Sequence, residues 1–333
     1  MKVLIIGGTG IMSTEVTRLA LEKGMEVWQV NRGNHPERIP DAVRLLKGSI
    51  DDESIQKELS GQRFDVVMDF VVFKPEQAER DVRLFLGKCG HYLVVTSACI
   101  YEKPIRSFPI TESARVSSSP WDYAVDKIRC EEVYQKAYRE LNFPVTLVRP
   151  SHTYCKWALP LALSGRTGGW SVLSRMLKGK PVLMHGDGLT LWTITHARDV
   201  AKGMVGLFGN SHAIGEAVHI TTDETLSWDD IYASIARVLG VELKLVHVST
   251  EMLCRYFPEE WGHFMGDTAH TAIYDNTKIK RLVPGFAATT SADEGLREAV
   301  EYILANPALQ KEDPEFDALC DRVVASVEAF GEE

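Results

Sequence analysis

Residues 2–13 read KVLIIGGTGIMS, an apolar run that leads directly into three closely spaced glycines. The apolar run predicts a buried strand, and residues 13–23 predict a helix with Ser13 as its N-cap. Glycines between a strand and a helix allow a tight turn and let the backbone approach a phosphate group. Because a helix N-terminus also attracts negative charge, this segment predicts a dinucleotide-binding turn.

The chain outward from this turn alternates short apolar runs with helical patterns. Further strands are predicted over residues 26–30, 43–46, 65–72, 92–96 and 144–148, with helices over residues 51–59, 75–86 and 120–141. Near-continuous apolar strands separated by helices form a parallel sheet that is covered on both faces. We therefore predict an α/β fold, a doubly wound parallel sheet of the Rossmann type with a smaller C-terminal substrate lobe.

The regular alternation of strands and helices ends after Arg149, where Gly, Pro, Ser and Trp become frequent. We predict a dinucleotide-binding domain over residues 1–150, to which residues 186–230 return. The substrate lobe is predicted over residues 151–185 and 231–305, and a terminal helix over residues 306–333.

Composition narrows the classes of partner. The formal net charge is −9 and there is no Lys/Arg-rich run, which argues against a nucleic-acid partner. No apolar run approaches the roughly 18 residues needed to span a bilayer. The six cysteines are scattered without a C-x-x-C pair, and the ten histidines form no metal-binding pattern. We expect a cytoplasmic protein with a small-molecule substrate, no membrane partner and no metal.

The end of the second predicted strand bears on the choice of dinucleotide. An acidic residue here would bind the adenosine ribose of NAD, but the chain has Asn31 followed by Arg32. An arginine at this point can pair with a 2′-phosphate, so NADP is favoured over NAD, although Arg32 could instead stack on adenine or face solvent. The predicted contacts of this NAD(P) cofactor are Gly7, Gly10, Ile11, Met12, Asn31, Arg32, Ser49, Ile50, Phe70, Lys127 and Pro150.

A second motif lies on the predicted helix 120–141. Tyr123 and Lys127 are four residues apart and therefore share one face of that helix. A neighbouring ammonium lowers the pKa of a phenol, which could then exchange protons near neutral pH. Ser97 follows the fifth predicted strand, at the edge of the sheet where ligands bind.

Together these motifs resemble the extended short-chain dehydrogenases/reductases of the NAD-dependent epimerase/dehydratase family. The resemblance covers roughly residues 1–305, through the glycine turn, VVTSACIY, YAVDK, VTLVRPSHTY and HGDGLTLWTITHARDVAKG. It implies that Tyr123 is the acid/base, that Lys127 tunes it and touches the nicotinamide ribose, and that Ser97 orients the substrate, with Thr96 as the alternative. A homodimer formed through long helices is also implied.

The chain departs from the family pattern at several places. Ser13 replaces the last glycine, and Ala98-Cys99 replaces an Asp-Glu pair, which makes a simple 4,6-dehydration unexpected. His152 stands where the family usually has a substrate-contacting asparagine, and it is either a ligand contact or a packed loop residue. Trp192 stands where an arginine often grips a nucleotide-sugar diphosphate. The predicted substrate contacts are Thr96, Ala98, His152 and Trp192, and the candidates to replace the arginine are Arg166, Arg175 and Lys278.

Three functions follow from this resemblance. The first is an NAD(P)-dependent epimerase that acts on a nucleotide-linked sugar through Ser97, Tyr123 and Lys127. The second is an NADP(H)-dependent carbonyl reductase or dehydrogenase of a small natural-product substrate, which Arg32 and the missing arginine favour. The third is a non-catalytic, RNA-binding relative that keeps the fold.

Overall fold

The computed structural model describes residues 1–117 and 119–331. Its main strands and those of the lobe are β1 Lys2–Ile6, β2 Glu26–Asn31, β3 Arg44–Lys47, β4 Phe64–Asp69, β5 Cys89–Val95, β6 Val145–Pro150, β7 His152–Tyr154, β8 Val182–His185, β9 Leu191–Trp192, β10 Ile194–His196, β11 Ala217–Ile220, β12 Leu226–Ser227 and β13 Leu245–Val248.

The helices alternate with these strands in the first half of the chain and dominate the second. They are α1 Ile11–Glu22, α2 Glu53–Ser60, α3 Pro75–Phe85, α4 Asp122–Leu141, α5 Trp170–Leu177, α6 Ala197–Leu207, α7 Trp228–Leu239, α8 Thr250–Tyr256, α9 Trp261–His263, α10 Thr277–Leu282, α11 Ala292–Ala305 and α12 Pro314–Gly331. Helix α9 continues into a π-helical turn at Phe264–Thr268.

Seven parallel strands form the central sheet in the order β3-β2-β1-β4-β5-β6-β11. Strand β1 lies at the centre, and its side chains alternate between two buried layers. Leu4 and Ile6 face the layer that contains Phe85 and Tyr134, whereas Val3 faces the layer under α1 and α6. Burial of both faces is what the continuous apolar strands predicted.

The first helix begins two residues before the predicted N-cap. Gly10 is the N-cap, and Ser13 lies buried at the third helical position, so the assignment of Ser13 as N-cap is wrong. Its hydroxyl donates to the Gly7 carbonyl (2.7 Å) and accepts from the Gly10 N–H (2.8 Å). Ser13 therefore braces the glycine turn from inside the helix.

The C-terminal half builds a lobe around its own apolar cluster, which includes Trp192, Trp228, Phe264 and Leu296. Strands β8 and β13 pair in parallel in this lobe, while β9 and β12 pair antiparallel. Helix α12 buries Phe316 in the same cluster, so the terminal helix packs on the lobe. The predicted helical residues 332–333 lie outside the described residues. The division into domains stays a prediction.

The six cysteines are buried and unpaired. Across residues 1–117 and 119–331, no helix combines the length and the apolar character that crossing a membrane requires.

Candidate functional site

The turn after β1 is built for close approach of the backbone. Gly7 has a φ of +81°, and a Cβ there would lie 2.4 Å from Cγ1 of Val71. At Gly10, an added Cβ would meet only the Ser13 hydroxyl, at 3.3 Å. The missing side chain of Gly10 thus leaves open space above the N-terminus of α1, where the first N–H groups of the helix are available to an anion.

A cleft of about 570 Å³ runs from this turn along the carboxyl ends of β1, β2 and β3. Seven of the predicted cofactor contacts line it: Gly7, Gly10, Ile11, Asn31, Arg32, Ser49 and Ile50. A cleft with this position and lining fits a dinucleotide whose phosphates lie at α1 and whose adenosine end lies at β2 and β3. Residues 1–50 could hold that half of the cofactor.

At the end of the cleft that would hold the adenosine, β2 ends in Asn31, followed by Arg32, and not in an acidic residue. Asn31 is buried, donates to Gln29 Oε1 (3.0 Å) and accepts from the Gly33 N–H (2.9 Å). Arg32 is exposed at the rim of the cleft. The side chain of Asn31 therefore fixes the turn, and Arg32 supplies a positive charge within reach of the cleft.

Four predicted cofactor contacts do not line the cleft: Met12, Phe70, Lys127 and Pro150, the last of which lines a second pocket. Phe70 and Met12 pack against the apolar layer under α1 and α6, and their assignment as cofactor contacts is not supported. The chain turns at the end of β4, where the Asp69 carboxylate accepts from the Val71 N–H (2.7 Å). This turn brings Val71 and Phe73 to the cleft in place of Phe70.

Sequence reasoning missed a second wall of the cleft, which comes from the lobe. Cys155 and Ala158 form a tight turn through two reciprocal backbone hydrogen bonds of 3.1 and 2.9 Å, with Trp157 near its tip. The Arg38 guanidinium lies 4.4 Å from the Trp157 ring centroid and also donates to the Thr9 carbonyl (3.2 Å). This cation–π pair joins the loop after β2 to the lobe across the cleft.

Beyond the glycine cleft, a second pocket of about 200 Å³ opens between the sheet and the lobe. Its lining residues are Ser97, Ala98, Cys99, Trp121, Tyr123, Pro150, Ser151, His152, Trp192, His263, Asp267 and Tyr274. Six of these are predicted site residues, drawn from the ends of β5 and β6, the first turn of α4 and strands β7 and β9. We call this space the substrate pocket.

The end of β5 distinguishes the two hydroxyl candidates. Ser97 lines the substrate pocket, and its hydroxyl accepts from the Cys99 N–H (3.2 Å), which fixes its direction. The Thr96 hydroxyl is buried and donates to Glu131 Oε1 (2.6 Å). Because Thr96 is committed to that carboxylate and does not line the pocket, its assignment as a substrate contact is not supported.

Tyr123 and Lys127 share one face of α4, as their spacing predicted. The Lys127 Nζ is buried, donates to the carbonyls of Val72 (2.6 Å) and Val95 (3.0 Å), and lies 5.6 Å from the Tyr123 ring centroid. It is also 4.7 Å from the ring of Phe73, which lines the glycine cleft. Lys127 thus lies between the glycine cleft and the phenol.

The expected lowering of the tyrosine pKa is wrong for this arrangement. Burial raises the pKa of Tyr123 above its ordinary value, and nearby Cys99 acts in the same direction, whereas a hydrogen bond with Ser97 acts to lower it. Burial also lowers the pKa of Lys127, whose ammonium is bound to two backbone carbonyls. The phenol is consequently protonated at neutral pH and can donate its proton.

His152 and Trp192 lie on the lobe side of the pocket. Burial lowers the pKa of His152 to about 4, with neighbouring His263 acting in the same direction, so the imidazole is neutral at pH 7. The Trp192 indole is buried and donates to the Thr268 carbonyl (3.1 Å). Both contribute uncharged, partly aromatic surface to the pocket.

The three basic residues proposed to replace the family arginine are held elsewhere. Arg175 is buried and donates to the carbonyls of Pro181 and Asp317, each at 2.9 Å. Lys278 pairs with Glu216 (2.8 Å), and Arg166 is 88% exposed beside Glu315. None of the three is among the described residues that line the substrate pocket, and their role in binding a diphosphate stays a prediction.

Further lining residues that the sequence did not assign to the pocket are Cys99, Trp121, Ser151, His263 and Asp267, and Tyr274 lines it as well. Trp121 packs into a notch left by two glycines, since a Cβ on Gly262 or Gly266 would approach its side chain within 2.9 or 2.8 Å. The four-residue spacing of these glycines was a signal in the sequence, but it does not say which residue fills the notch.

A sequence model of the NAD dependent epimerase/dehydratase family matches residues 3–220. The chain is 24% identical over 288 residues to 2'-dehydrokanamycin reductase from Streptomyces kanamyceticus, covering 86% of this chain and 80% of the relative. It is also 24% identical over 261 residues to chloroplast stem-loop binding protein of 41 kDa b from Arabidopsis thaliana, covering 74% and 65% of the two chains.

Solved structures support the fold. UDP-glucuronic acid 4-epimerase from Bacillus cereus, solved with UDP-glucuronic acid and NAD, aligns with a TM-score of 0.74 and 17% identity, covering 92% of this chain and 99% of that one. The chain belongs to the NAD dependent epimerase/dehydratase family. The predictions of family and of a doubly wound fold are thereby confirmed.

Proposed function

We propose that this protein is an NAD(P)-dependent oxidoreductase that reduces a ketone to a carbinol, or runs the reverse reaction, on a small substrate. The observation that carries the proposal is the pocket in which Ser97 and Tyr123 face the same space as Pro150. Lys127 connects this pocket to the glycine cleft through Phe73.

Some residues would hold the cofactor, and others would transfer the proton to the substrate. Gly7, Gly10 and the N-terminus of α1 would hold the diphosphate of the cofactor, and Lys127 its nicotinamide ribose. A bound reduced nicotinamide supplies hydride to the carbonyl carbon. Tyr123 donates its phenol proton to the carbonyl oxygen, which the Ser97 hydroxyl holds by a hydrogen bond. Hydride and proton together account for the two hydrogens of the carbinol.

Arg32 supports a preference for NADP(H). It is exposed at the adenosine end of the cleft, where Asn31 takes the place of the acidic residue that would favour NAD. A guanidinium there can form charge-assisted hydrogen bonds with a 2′-phosphate. A homodimer and a cytoplasmic location remain predictions from the sequence.

The second candidate is epimerisation of a nucleotide-linked sugar, which the fold likeness to an epimerase solved with UDP-glucuronic acid favours. In that reaction, the same Ser97 and Tyr123 would serve an oxidation followed by a reduction of the same carbon. The cofactor would then return to its starting state within each turnover. This difference makes the two candidates separable.

Deuterium transfer tests the proposal. The full-length protein is incubated with NADPH deuterated at C4 of the nicotinamide and with a panel of cyclic ketones and keto-sugars. We expect one deuterium on the new carbinol carbon and one cofactor consumed per product. Epimerisation of UDP-sugars without net cofactor consumption would instead support the second candidate. The absence of both reactions would contradict an oxidoreductase.

A further inference from the structure

The lobe presents one carboxylate to the substrate pocket, and its backbone setting is unusual. Asp267 lies in the π-helical turn Phe264–Thr268, a form of helix that occurs frequently at functional sites. The Thr268 carbonyl at the end of this turn accepts from the indoles of Trp192 (3.1 Å) and Trp228 (3.3 Å). Two buried tryptophans therefore hold the turn that carries Asp267 into the pocket.

Among the described residues, Lys103 is the ion-pair partner of Asp267. The Lys103 ammonium lies 3.4 Å from Oδ1 of Asp267, and the two side chains are only 7% and 13% exposed. Within the described residues, neither Lys103 Nζ nor Asp267 Oδ1 makes a hydrogen bond. Because Oδ1 is buried beside Lys103, a ligand in the pocket would meet the part of the Asp267 side chain that stays exposed, and a hydrogen bond donated there would be charge-assisted.

The remaining lining suits a ring and offers little to a phosphate. Trp121, Trp192 and Tyr274 provide aromatic surface, and His152 is neutral at pH 7. The charge of Lys103 is matched by Asp267, so the pair gives the pocket no net positive charge. A nucleotide diphosphate would bring its negative charges towards the Asp267 carboxylate, with no arginine among the described lining residues to bind it.

The pocket measures about 200 Å³ and is half open. One hydroxylated ring over the tryptophans would bring its hydroxyl or ammonium groups within reach of Asp267, while the other rings of a larger ligand would extend out of the open side.

We propose that Asp267 is the specificity-determining residue of this pocket, and that the substrate is a phosphate-free sugar or cyclitol ring that donates a hydrogen bond to it. The inference rests on the proposed function, because the ring must bring its carbinol or ketone carbon to Ser97 and Tyr123. It assigns the recognition of the substrate to a residue outside the Ser97–Tyr123–Lys127 group.

Binding, measured separately from turnover, tests this inference. The full-length protein with NADP⁺ is titrated with kanamycin, methyl glucoside, UDP-glucose and UDP, with the fluorescence of the pocket tryptophans as the readout. We expect the two phosphate-free sugars to bind, kanamycin more tightly because its ammonium groups strengthen the bond to a carboxylate. UDP-glucose and UDP should bind at least tenfold more weakly than kanamycin.

Substitution at Asp267 then localises the effect. Asp267→Asn should raise the Kd of kanamycin about tenfold to a hundredfold, the range for loss of a charged hydrogen bond. Asp267→Glu, which keeps the charge, should recover part of the affinity. Glu259→Gln removes an exposed carboxylate nearby in the chain and should leave the Kd unchanged. For any substrate that turns over, Asp267→Asn should raise KM with kcat nearly retained.

The outcomes separate this inference from the proposed function. Tight binding of UDP, no binding of either sugar, or an unchanged Kd in a folded Asp267→Asn variant would overturn the role of Asp267. Should the variant fail to fold, the preference of the wild-type protein for kanamycin over UDP-glucose still decides. Binding that depends on Asp267 without any hydride transfer would support the inference while contradicting the oxidoreductase.

Discussion

The glycine cleft and the substrate pocket lie side by side but are built in different ways. The cleft is formed mainly by one continuous segment, residues 6–51. Its central feature is the backbone of the glycine turn and of the N-terminus of α1. The substrate pocket draws single side chains from the ends of β5 and β6, the start of α4, strands β7 and β9 and the π-helical turn. A site that binds its ligand through backbone groups tolerates many side-chain substitutions. A site formed by side chains from several elements can change its ligand through a single substitution.

The largest expected effect tests the proton donor of the pocket. Tyr123→Phe removes the phenol hydroxyl and should lower turnover about 10²- to 10⁴-fold, the usual contribution of general acid–base catalysis. The cleft is separate from this hydroxyl, so the Kd of NADP(H) should stay within a few-fold. Tyr138→Phe, the same change at an exposed position of α4, is the matched control. Wild-type turnover in Tyr123→Phe would show that the pocket does no proton transfer.

The second effect distinguishes the two regions by the pH dependence of stability. Burial lowers the pKa of His185, which packs against Trp228 and Phe264, to about 4. The unfolded chain takes up this proton below about pH 6.5, so folding stability falls as the pH drops from about 6.5 towards about 4. Between about pH 7.5 and about pH 5, His185 should account for a loss of about 2 kcal/mol.

Urea unfolding at the two pH values checks this effect. His185→Gln should show a smaller pH-dependent loss than the wild-type protein. His35→Gln alters a histidine of the glycine cleft whose side chain is 48% exposed, and it should leave the pH dependence as in the wild type. Equal behaviour of the two variants would contradict the contrast between a histidine buried in the lobe and one at the open cleft.

A third, smaller effect concerns the adenosine end of the cleft. Arg32→Ala should weaken NADP(H) about tenfold while leaving NAD(H) within about twofold, because only the former carries a 2′-phosphate for the guanidinium. Arg83→Ala removes a charge from an exposed position of α3 and controls for the change in net charge. Titration of both cofactors against both variants measures the ratio. Equal weakening of NADP(H) and NAD(H) by Arg32→Ala would rule out a 2′-phosphate contact.

The smallest expected effect lies where the two regions meet. Trp157→Leu removes the partner of Arg38 and should weaken cofactor binding about two- to fivefold, in line with a partly exposed cation–π pair. The dissociation rate of the reduced cofactor, followed by stopped-flow fluorescence, should rise by a similar factor. Trp261→Leu, at an exposed tryptophan of α9, should leave that rate unchanged. No change in Trp157→Leu would show that the lobe does not help to retain the cofactor.

The contrast between the two regions also explains what the sequence could predict. The strand–turn–helix at residues 2–22 is local, so periodicity and glycine spacing located it, and the shared helix face of Tyr123 and Lys127 followed from a spacing of four residues. Phe70 was predicted to line the cleft because it directly follows β4, whereas the turn that the Asp69 carboxylate stabilises brings Val71 and Phe73 there. Asp267 could not be placed in the pocket, since a π-helical turn and contacts over 160 residues along the chain bring it there.

The packing of helix α12 on the lobe affects the order in which the chain folds during synthesis. The apolar layers of the sheet take their last buried side chain from Phe286, whereas the apolar cluster of the lobe includes Phe316, Cys320 and Val323 from the last helix. Domains generally fold as units during synthesis, beginning from the N-terminus. The nucleotide half can therefore assemble while the ribosome is still translating, but the lobe acquires its last buried side chains only when the final helix emerges. A fusion or deletion at the C-terminus would disturb the completion of the lobe first.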